Sequence, residues 1–165
     1  MLINYLHKAG WFIGLVLLQV LILNNVHIAG YATPFLYIYL IVKFESDTPR
    51  NALMLWAFFL GLAVDIFSDT PGINAAATVL LAFVRPVLLR AFISREIPEG
   101  IVPAVSTMGG SNFLKYLVIG VLVHHGMLFV IEFFSMAHIG SLLLRIGASA
   151  LLTVSCIMAV EGIRR

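Results

Sequence analysis

The sequence contains little charge and almost no cysteine. Of its 165 residues, 11% are charged and only one, Cys156, is a cysteine, so an intrachain disulfide is impossible. Hydrophobic residues make up 61% of the chain, and the mean hydropathy is +1.05. A water-soluble domain of this size cannot bury so much apolar surface. The composition therefore predicts an integral membrane protein, and apolar runs from end to end predict a single domain over residues 1–165.

Motifs of soluble chemistry are also missing. The sequence has no glycine-rich phosphate loop, no nucleophile elbow and no cluster of metal ligands at binding spacing. The net charge of +2 gives no reason to expect nucleic-acid binding. We therefore expect neither an enzyme nor a nucleic-acid-binding protein, and we expect no metal or other cofactor.

Apolar runs predict an all-α membrane protein with six transmembrane helices in one bundle. A helix rises 1.5 Å per residue and the hydrocarbon core of a bilayer is ~30 Å thick. Five runs approach or reach this length: residues 11–23, 52–67, 73–93, 111–134 and 139–160. The sixth run follows the first in the chain and is shorter.

This shorter run, which is the second along the chain, is predicted to begin with an irregular segment. Thr33 and Pro34 resemble a helix N-cap followed by a proline in the first turn, and residues 34–44 give only ~16 Å of helix. Residues 26–32 must therefore add depth as an irregular segment, which a membrane tolerates only where protein covers the backbone. The charged residues 43–50 then predict a water-facing loop before the third helix.

Positive charges predict the orientation. With six spans, nine of the ten Lys and Arg residues fall at or near one face: Lys8, Lys43, Arg50, Arg85, Arg90, Arg95, Lys115, Arg164 and Arg165. Arg145 alone falls at the other face. Because cytoplasmic loops are enriched in Lys and Arg, both termini are predicted to be cytoplasmic.

Several polar residues lie within the predicted spans. Pro86 is expected to kink the fourth helix, and the side chains of Arg85 and Arg90 are expected to reach lipid headgroups. His124 and His125 fall near the bilayer midplane. Adjacent helical residues point ~100° apart, so the two histidines cannot chelate one metal together, and we interpret them as hydrogen-bonded packing residues.

Three charged residues on different helices reach a similar depth in the outer leaflet. We hypothesise that Arg145 bridges Asp65 or Glu132, or both, because intramembrane charges usually face the bundle interior. The alternative is that each of them reaches water separately. On the first helix, Gly10 and Gly14 have the spacing that allows close packing with another helix, which makes them a candidate partner surface.

The stretch between the third and fourth spans has a distinctive pattern. Gly61 and Asp65 enclose three apolar residues, and an alanine-rich helix start follows a turn. The residues of the pattern are Gly61, Asp65, Phe67, Ser68, Pro71, Gly72, Arg85 and Pro86. Together with the chain length and the six-span organisation, the pattern resembles the family of the rod shape-determining protein MreD.

This resemblance implies a non-catalytic scaffold of the cell-elongation (rod) complex in the bacterial inner membrane, which controls cell shape and directs lateral peptidoglycan synthesis. The implied fold is similar to the S-components of energy-coupling-factor vitamin transporters. The implied partners are the single-span periplasmic protein MreC, the MreB filament, RodA with its penicillin-binding partner, and membrane lipid.

An alternative comes from a different class of protein. A vitamin-type substrate-binding subunit of a membrane transporter needs an outward-facing pocket with aromatic and polar groups. Residues that could supply such a pocket are Tyr31, Tyr37, Tyr39, Asn24, Asn25 and Asn74.

Overall fold

All regular secondary structure in the computed structural model is helical over the described residues, which are 2–26, 32–93, 100–132 and 139–163. The helices are α1 (Leu2–Leu21), α2 (Tyr39–Val42), α3 (Arg50–Ser68), α4 (Ile73–Phe92), α5 (Val105–Met108), α6 (Gly110–Glu132) and α7 (Ile139–Ile163). Short 3₁₀ turns cover Leu23–Asn25 and Leu36–Ile38. The second of these turns leads directly into α2.

Five helical segments are long and apolar enough to cross a membrane. They have hydropathy values between 1.7 and 2.0 and comprise residues 6–25 and the helices α3, α4, α6 and α7. Large apolar side chains such as Leu55, Ile66 and Leu151 are exposed on their outer surfaces, as expected where lipid replaces water. The prediction of a multi-pass helical membrane protein is confirmed. The helix of α4 continues through Pro86 to Phe92 without a break.

The second apolar run forms less helix than the sequence predicts. Its helix begins after Phe35, so Thr33 and Pro34 do not form the predicted N-cap and first turn. Only residues 36–42 are helical, and all of them are buried. The run therefore lies inside the bundle, enclosed by longer helices.

Side chains of neighbouring helices form hydrogen bonds with the irregular backbone at the start of this run. Polar side chains of α1 and α7 bond to four backbone groups. Ser149 Oγ accepts from the N–H of Thr33 (3.1 Å), Thr153 Oγ1 from Phe35 (3.0 Å) and Gln19 Oε1 from Leu36 (2.9 Å), while Gln19 Nε2 donates to the carbonyl of Pro34 (2.9 Å). Protein thus covers the non-helical backbone at residues 33–36, and residues 27–31 of the predicted irregular segment lie outside the described residues.

Ionic contacts tie several chain segments together at one end of the bundle. Lys8 of α1 binds Glu45 at 2.9 Å, and Lys43 binds Glu161 of α7 at 3.1 Å. The N–H of Val105 in α5 also donates to Glu161, at 3.4 Å. We call this end, defined by these five residues, the basic end. Residues 94–99, 133–138, Arg164 and Arg165 lie outside the described residues.

Arg85 does not reach lipid headgroups, contrary to the prediction. Its side chain is 1% exposed, and its guanidinium donates to the carbonyl of Phe44, just beyond α2. Tyr116 of α6 donates to the neighbouring carbonyl of Val42 at 3.1 Å. The last carbonyls of a helix lack intrahelical donors, so Tyr116 caps α2, while Arg85 bonds to the backbone just beyond it. Arg90, one turn further along α4, is exposed as predicted.

Candidate functional site

The helices α3 and α4 approach each other most closely at Gly61. A Cβ atom at this position would lie 2.5 Å from the Cα of Ala75 and 2.6 Å from its nitrogen. Such distances are too short for any side chain, so the crossing requires glycine. The turn between the helices uses left-handed backbone at Asp69 (φ 54°) and Gly72 (φ 82°).

Asp65 caps the start of α4 from the neighbouring helix. It lies one turn after Gly61 on the same face of α3, and it is 3% exposed. Its Oδ1 accepts hydrogen bonds from Thr70 Oγ1 (2.9 Å), Asn74 N (2.9 Å) and Asn74 Nδ2 (3.0 Å), and its Oδ2 accepts from Ala75 N (2.9 Å). The first N–H groups of a helix have no intrahelical acceptor and carry partial positive charge, which explains why a carboxylate is buried here.

These contacts correct the expectation for Asp65. Both of its oxygens bond within the α3–α4 hairpin, so it neither bridges to Arg145 nor reaches water separately. Glu132 and Arg145 line a common cavity, and their opposite charges attract each other. An ion pair between these two residues stays a prediction.

A chain of buried hydrogen bonds runs from the hairpin to α7. Tyr37 Oη donates to Asn74 Oδ1 at 2.9 Å and lies 2.9 Å from His124 Nε2. The Nδ1 atoms of His124 and His125 are 3.5 Å apart, and His125 Nε2 is 3.2 Å from Thr153 Oγ1. All five side chains are buried. Both histidines are therefore hydrogen-bonded within the bundle, and no group of three potential metal ligands is found among the described residues.

A polar cavity of about 440 Å³ opens at the end of the bundle opposite to the basic end. Asn25, Phe67 and Glu132 are exposed at its mouth, whereas Leu128 and Phe129 are buried at its floor. The polar residues that line it are Asn24, Asn25, Thr33, Ser68, Thr70, Asn74, Glu132 and Arg145. We refer to it below as the polar cavity.

Only some of the residues predicted for a substrate pocket line this cavity. Asn24, Asn25 and Asn74 do so, but Tyr37 lies behind Asn74 in the hydrogen-bond chain. Tyr39 donates to Glu161 at 2.9 Å, at the basic end. Tyr31 lies outside the described residues. Among the described residues, the cavity is thus bordered by amides rather than by tyrosine hydroxyls.

Phe67, Ser68, Pro71 and Gly72 of the Gly61–Pro86 pattern lie in or near the hairpin turn, whereas Arg85 and Pro86 lie in the second half of α4. Ser68 Oγ accepts from Asn24 Nδ2 at 2.7 Å, which ties the hairpin to the end of α1. Phe67 lies at the mouth of the polar cavity, and Pro71 and Gly72 are exposed in the turn. The part of the pattern from Gly61 to Gly72 therefore builds one corner of the bundle.

The candidate partner surface on α1 is open. Gly10 and Gly14 are exposed, and a Cβ atom at either position would meet nothing within 4 Å. Both line a shallow apolar groove together with Leu6, Trp11 and Leu18.

Sequence reasoning missed the role of Gln19, Ser149 and Thr153 as hydrogen-bond partners of the irregular backbone. A signal was present, because Gln19 interrupts an apolar run and Ser149 and Thr153 share one face of a helix. A polar side chain within a membrane helix generally needs an internal partner.

Comparison with models of protein families, with curated proteins and with solved structures finds no match for this chain.

Proposed function

We propose that this protein is a non-catalytic scaffold of the bacterial rod complex, of the MreD type, in the inner membrane. The observation that carries the proposal is the hairpin corner: Gly61 permits the close crossing and Asp65 caps α4. The residues that resemble the family pattern therefore have a structural task.

The proposed topology has six crossings and two cytoplasmic termini, with residues 26–44 as the second crossing. Contacts at both ends of this segment support it. Thr33 lines the polar cavity together with Asn24, whereas Lys43 and Glu45 bind residues of the basic end. These contacts support a segment that runs from the polar cavity toward the basic end. The positive-inside rule assigns the basic end to the cytoplasm and the polar cavity to the periplasm.

The proposed partner is an MreC-like protein with one transmembrane helix, which docks at Gly10 and Gly14. Small residues let two helix backbones approach closely, and in a membrane such packing drives association. The open groove around these glycines offers that approach. MreB, RodA and its penicillin-binding partner would join the same complex.

Coexpression with the MreC-like protein tests this function. A Gly10→Leu/Gly14→Leu variant should reduce copurification of the partner at least about tenfold, because the side chains fill the groove. Gly140→Leu/Gly147→Leu is a matched control, since both positions on α7 are also open, and it should copurify like the parent. An equal loss of copurification in both variants would show that the interface does not lie at Gly10 and Gly14. If the parent retains no MreC-like partner, the scaffold proposal is wrong.

A second candidate function is a vitamin-type substrate-binding subunit of a transporter, and the polar cavity favours it. Three asparagines and two opposite charges line a space of about 440 Å³, within the range of small-molecule sites. Saturable binding of a vitamin by the purified protein, without copurification of an MreC-like partner, would favour this role over the scaffold.

A further inference from the structure

The α3–α4 hairpin has two exposed arginines at its open end. Arg50 is the first residue of α3, and Arg90 lies in the last turn of α4. This end of the hairpin adjoins the basic end, since Arg85 of α4 donates to the carbonyl of Phe44, the neighbour of Glu45. We propose that Arg50 and Arg90, with the apolar surface between them, bind the headgroup phosphate and an acyl chain of one anionic phospholipid.

Carboxylates of the protein neutralise other cations at this end of the bundle, but not these two. The salt bridges of the basic end neutralise Lys8 and Lys43. Within the described part of the chain, neither Arg50 nor Arg90 has a hydrogen bond or a carboxylate partner. A guanidinium presents five N–H donors that match the oxygens of a phosphate. The positive charge of the hairpin therefore favours an anion from outside the chain.

The ring of Phe83 holds Arg50 at the outer surface of the hairpin. The guanidinium carbon of Arg50 lies 4.9 Å from the centroid of this ring. Such a contact uses the charge of the guanidinium and the face of the ring, so it occupies none of the N–H donors with an acceptor. Arg50 therefore lies against α4 with its donors available to a phosphate.

Arg90 lies on the same face of α4 as Phe83. Positions 83, 87 and 90 have the spacing of one helix face, and the side chains of Phe83, Val87 and Arg90 are all exposed. Phe83 and Arg90 are ~10 Å apart along the helix axis. The two arginines therefore flank a space of headgroup size, while Phe83 and Val87 supply apolar surface for an acyl chain.

The charge of the headgroup decides which lipid is preferred. Phosphatidylglycerol has a net negative charge, whereas phosphatidylethanolamine adds an ammonium group that two arginines repel. A basic residue near an anionic lipid strengthens binding about fivefold. The site lies on the lipid-facing side of the hairpin, so it is independent of the polar cavity and of the glycine surface on α1.

Native mass spectrometry of the delipidated protein in detergent, titrated with lipid, tests the proposal. The probes are phosphatidylglycerol and phosphatidylethanolamine with identical acyl chains. Phosphatidylglycerol should bind saturably and at least about tenfold more tightly than phosphatidylethanolamine. Glycerol 3-phosphate in about hundredfold excess should not displace it, because this competitor buries no acyl chain. Equal affinity for the two lipids, or displacement by glycerol 3-phosphate, overturns the proposal.

Single-charge variants locate the site. Arg50→Gln and Arg90→Gln should each weaken phosphatidylglycerol binding about fivefold. Lys115→Gln is the matched control, because Lys115 is an exposed cation on α6, beside Tyr116, whose hydroxyl bonds close to the basic end. The control should bind the lipid within about twofold of the parent. An equal loss in all three variants would indicate a diffuse effect of charge and would overturn the site.

Unfolding in detergent separates lipid binding from a structural role. Arg90 has no partner within the described residues, so Arg90→Gln should unfold like the parent when no lipid is added. Added phosphatidylglycerol should stabilise the parent more than this variant, because a ligand of the folded state shifts the unfolding equilibrium. Equal stabilisation of the two proteins contradicts a role of Arg90 in the site.

Discussion

Replacing Gly61 with alanine should separate α3 from α4. The new Cβ would lie 2.5 Å from Ala75 Cα and 2.6 Å from Asn74 O, and both are backbone atoms that cannot rotate away. Ordinary van der Waals contact requires the helices to move apart by roughly 1 Å. Overpacking of this kind costs about 1–3 kcal/mol.

The same displacement weakens the cap on α4. Asp65 accepts from the N–H groups of Asn74 and Ala75 at 2.9 Å, and hydrogen bonds to a charged group contribute about 1.5–3 kcal/mol each. Weakening one of them in addition to the overpacking gives an expected loss of about 3 kcal/mol or more in the free energy of unfolding. The effect exceeds that of steric crowding alone because the glycine and the carboxylate serve the same contact.

Thermal and denaturant unfolding in detergent micelles measures this loss. Gly126→Ala on α6 is the matched control, because a Cβ there meets nothing within 4 Å and alanine favours a helix by up to about 1 kcal/mol. Gly126→Ala should be neutral or stabilising. If Gly61→Ala unfolds within about 0.5 kcal/mol of the parent, the close crossing is not what the geometry indicates.

Two further substitutions test buried charges. Asp65→Asn replaces one carboxylate oxygen by an NH₂ group, so at least the N–H of Ala75 loses its acceptor and the remaining bonds lose the negative charge. The variant should be destabilised by about 2–4 kcal/mol in the same unfolding assay, whereas the exposed Asp69→Asn should not. Arg85→Met leaves the carbonyl of Phe44 without its donor, so we expect a loss of about 1–3 kcal/mol and faster proteolysis near residue 45. Exposed Arg90→Met is its control, and equal behaviour of the two Arg variants would contradict a stabilising role of the hydrogen bond from Arg85 to Phe44.

The sequence predicts the long helices well because length and hydropathy determine them. The predicted run 73–93 becomes Ile73–Phe92, and the run 111–134 becomes Gly110–Glu132. The second run was harder to predict because its helix is short and its backbone bonds to side chains more than 100 residues away in the chain, such as Thr153. Local propensity contains no information on such partners.

The candidate site, too, is only partly predictable from the sequence. A carboxylate at position 65 was recognisable as important, but its partner could not be found by comparing the depths of charged residues. The partner is a set of backbone N–H groups, which any sequence contains. The burial of Arg85 could not be predicted for a related reason. Its acceptor is the backbone carbonyl of Phe44, which reaches Arg85 only through tertiary packing.

Both functional proposals depend on residues 26–44 crossing the membrane, and labelling from each side tests this most directly. Asn25→Cys and Asp47→Cys flank the segment at exposed positions, and each is made in a Cys156→Ser background. A membrane-impermeant maleimide should label Asn25→Cys in intact cells and should label Asp47→Cys only after the inner membrane is permeabilised. Labelling of both positions from the same side would contradict the six-crossing arrangement.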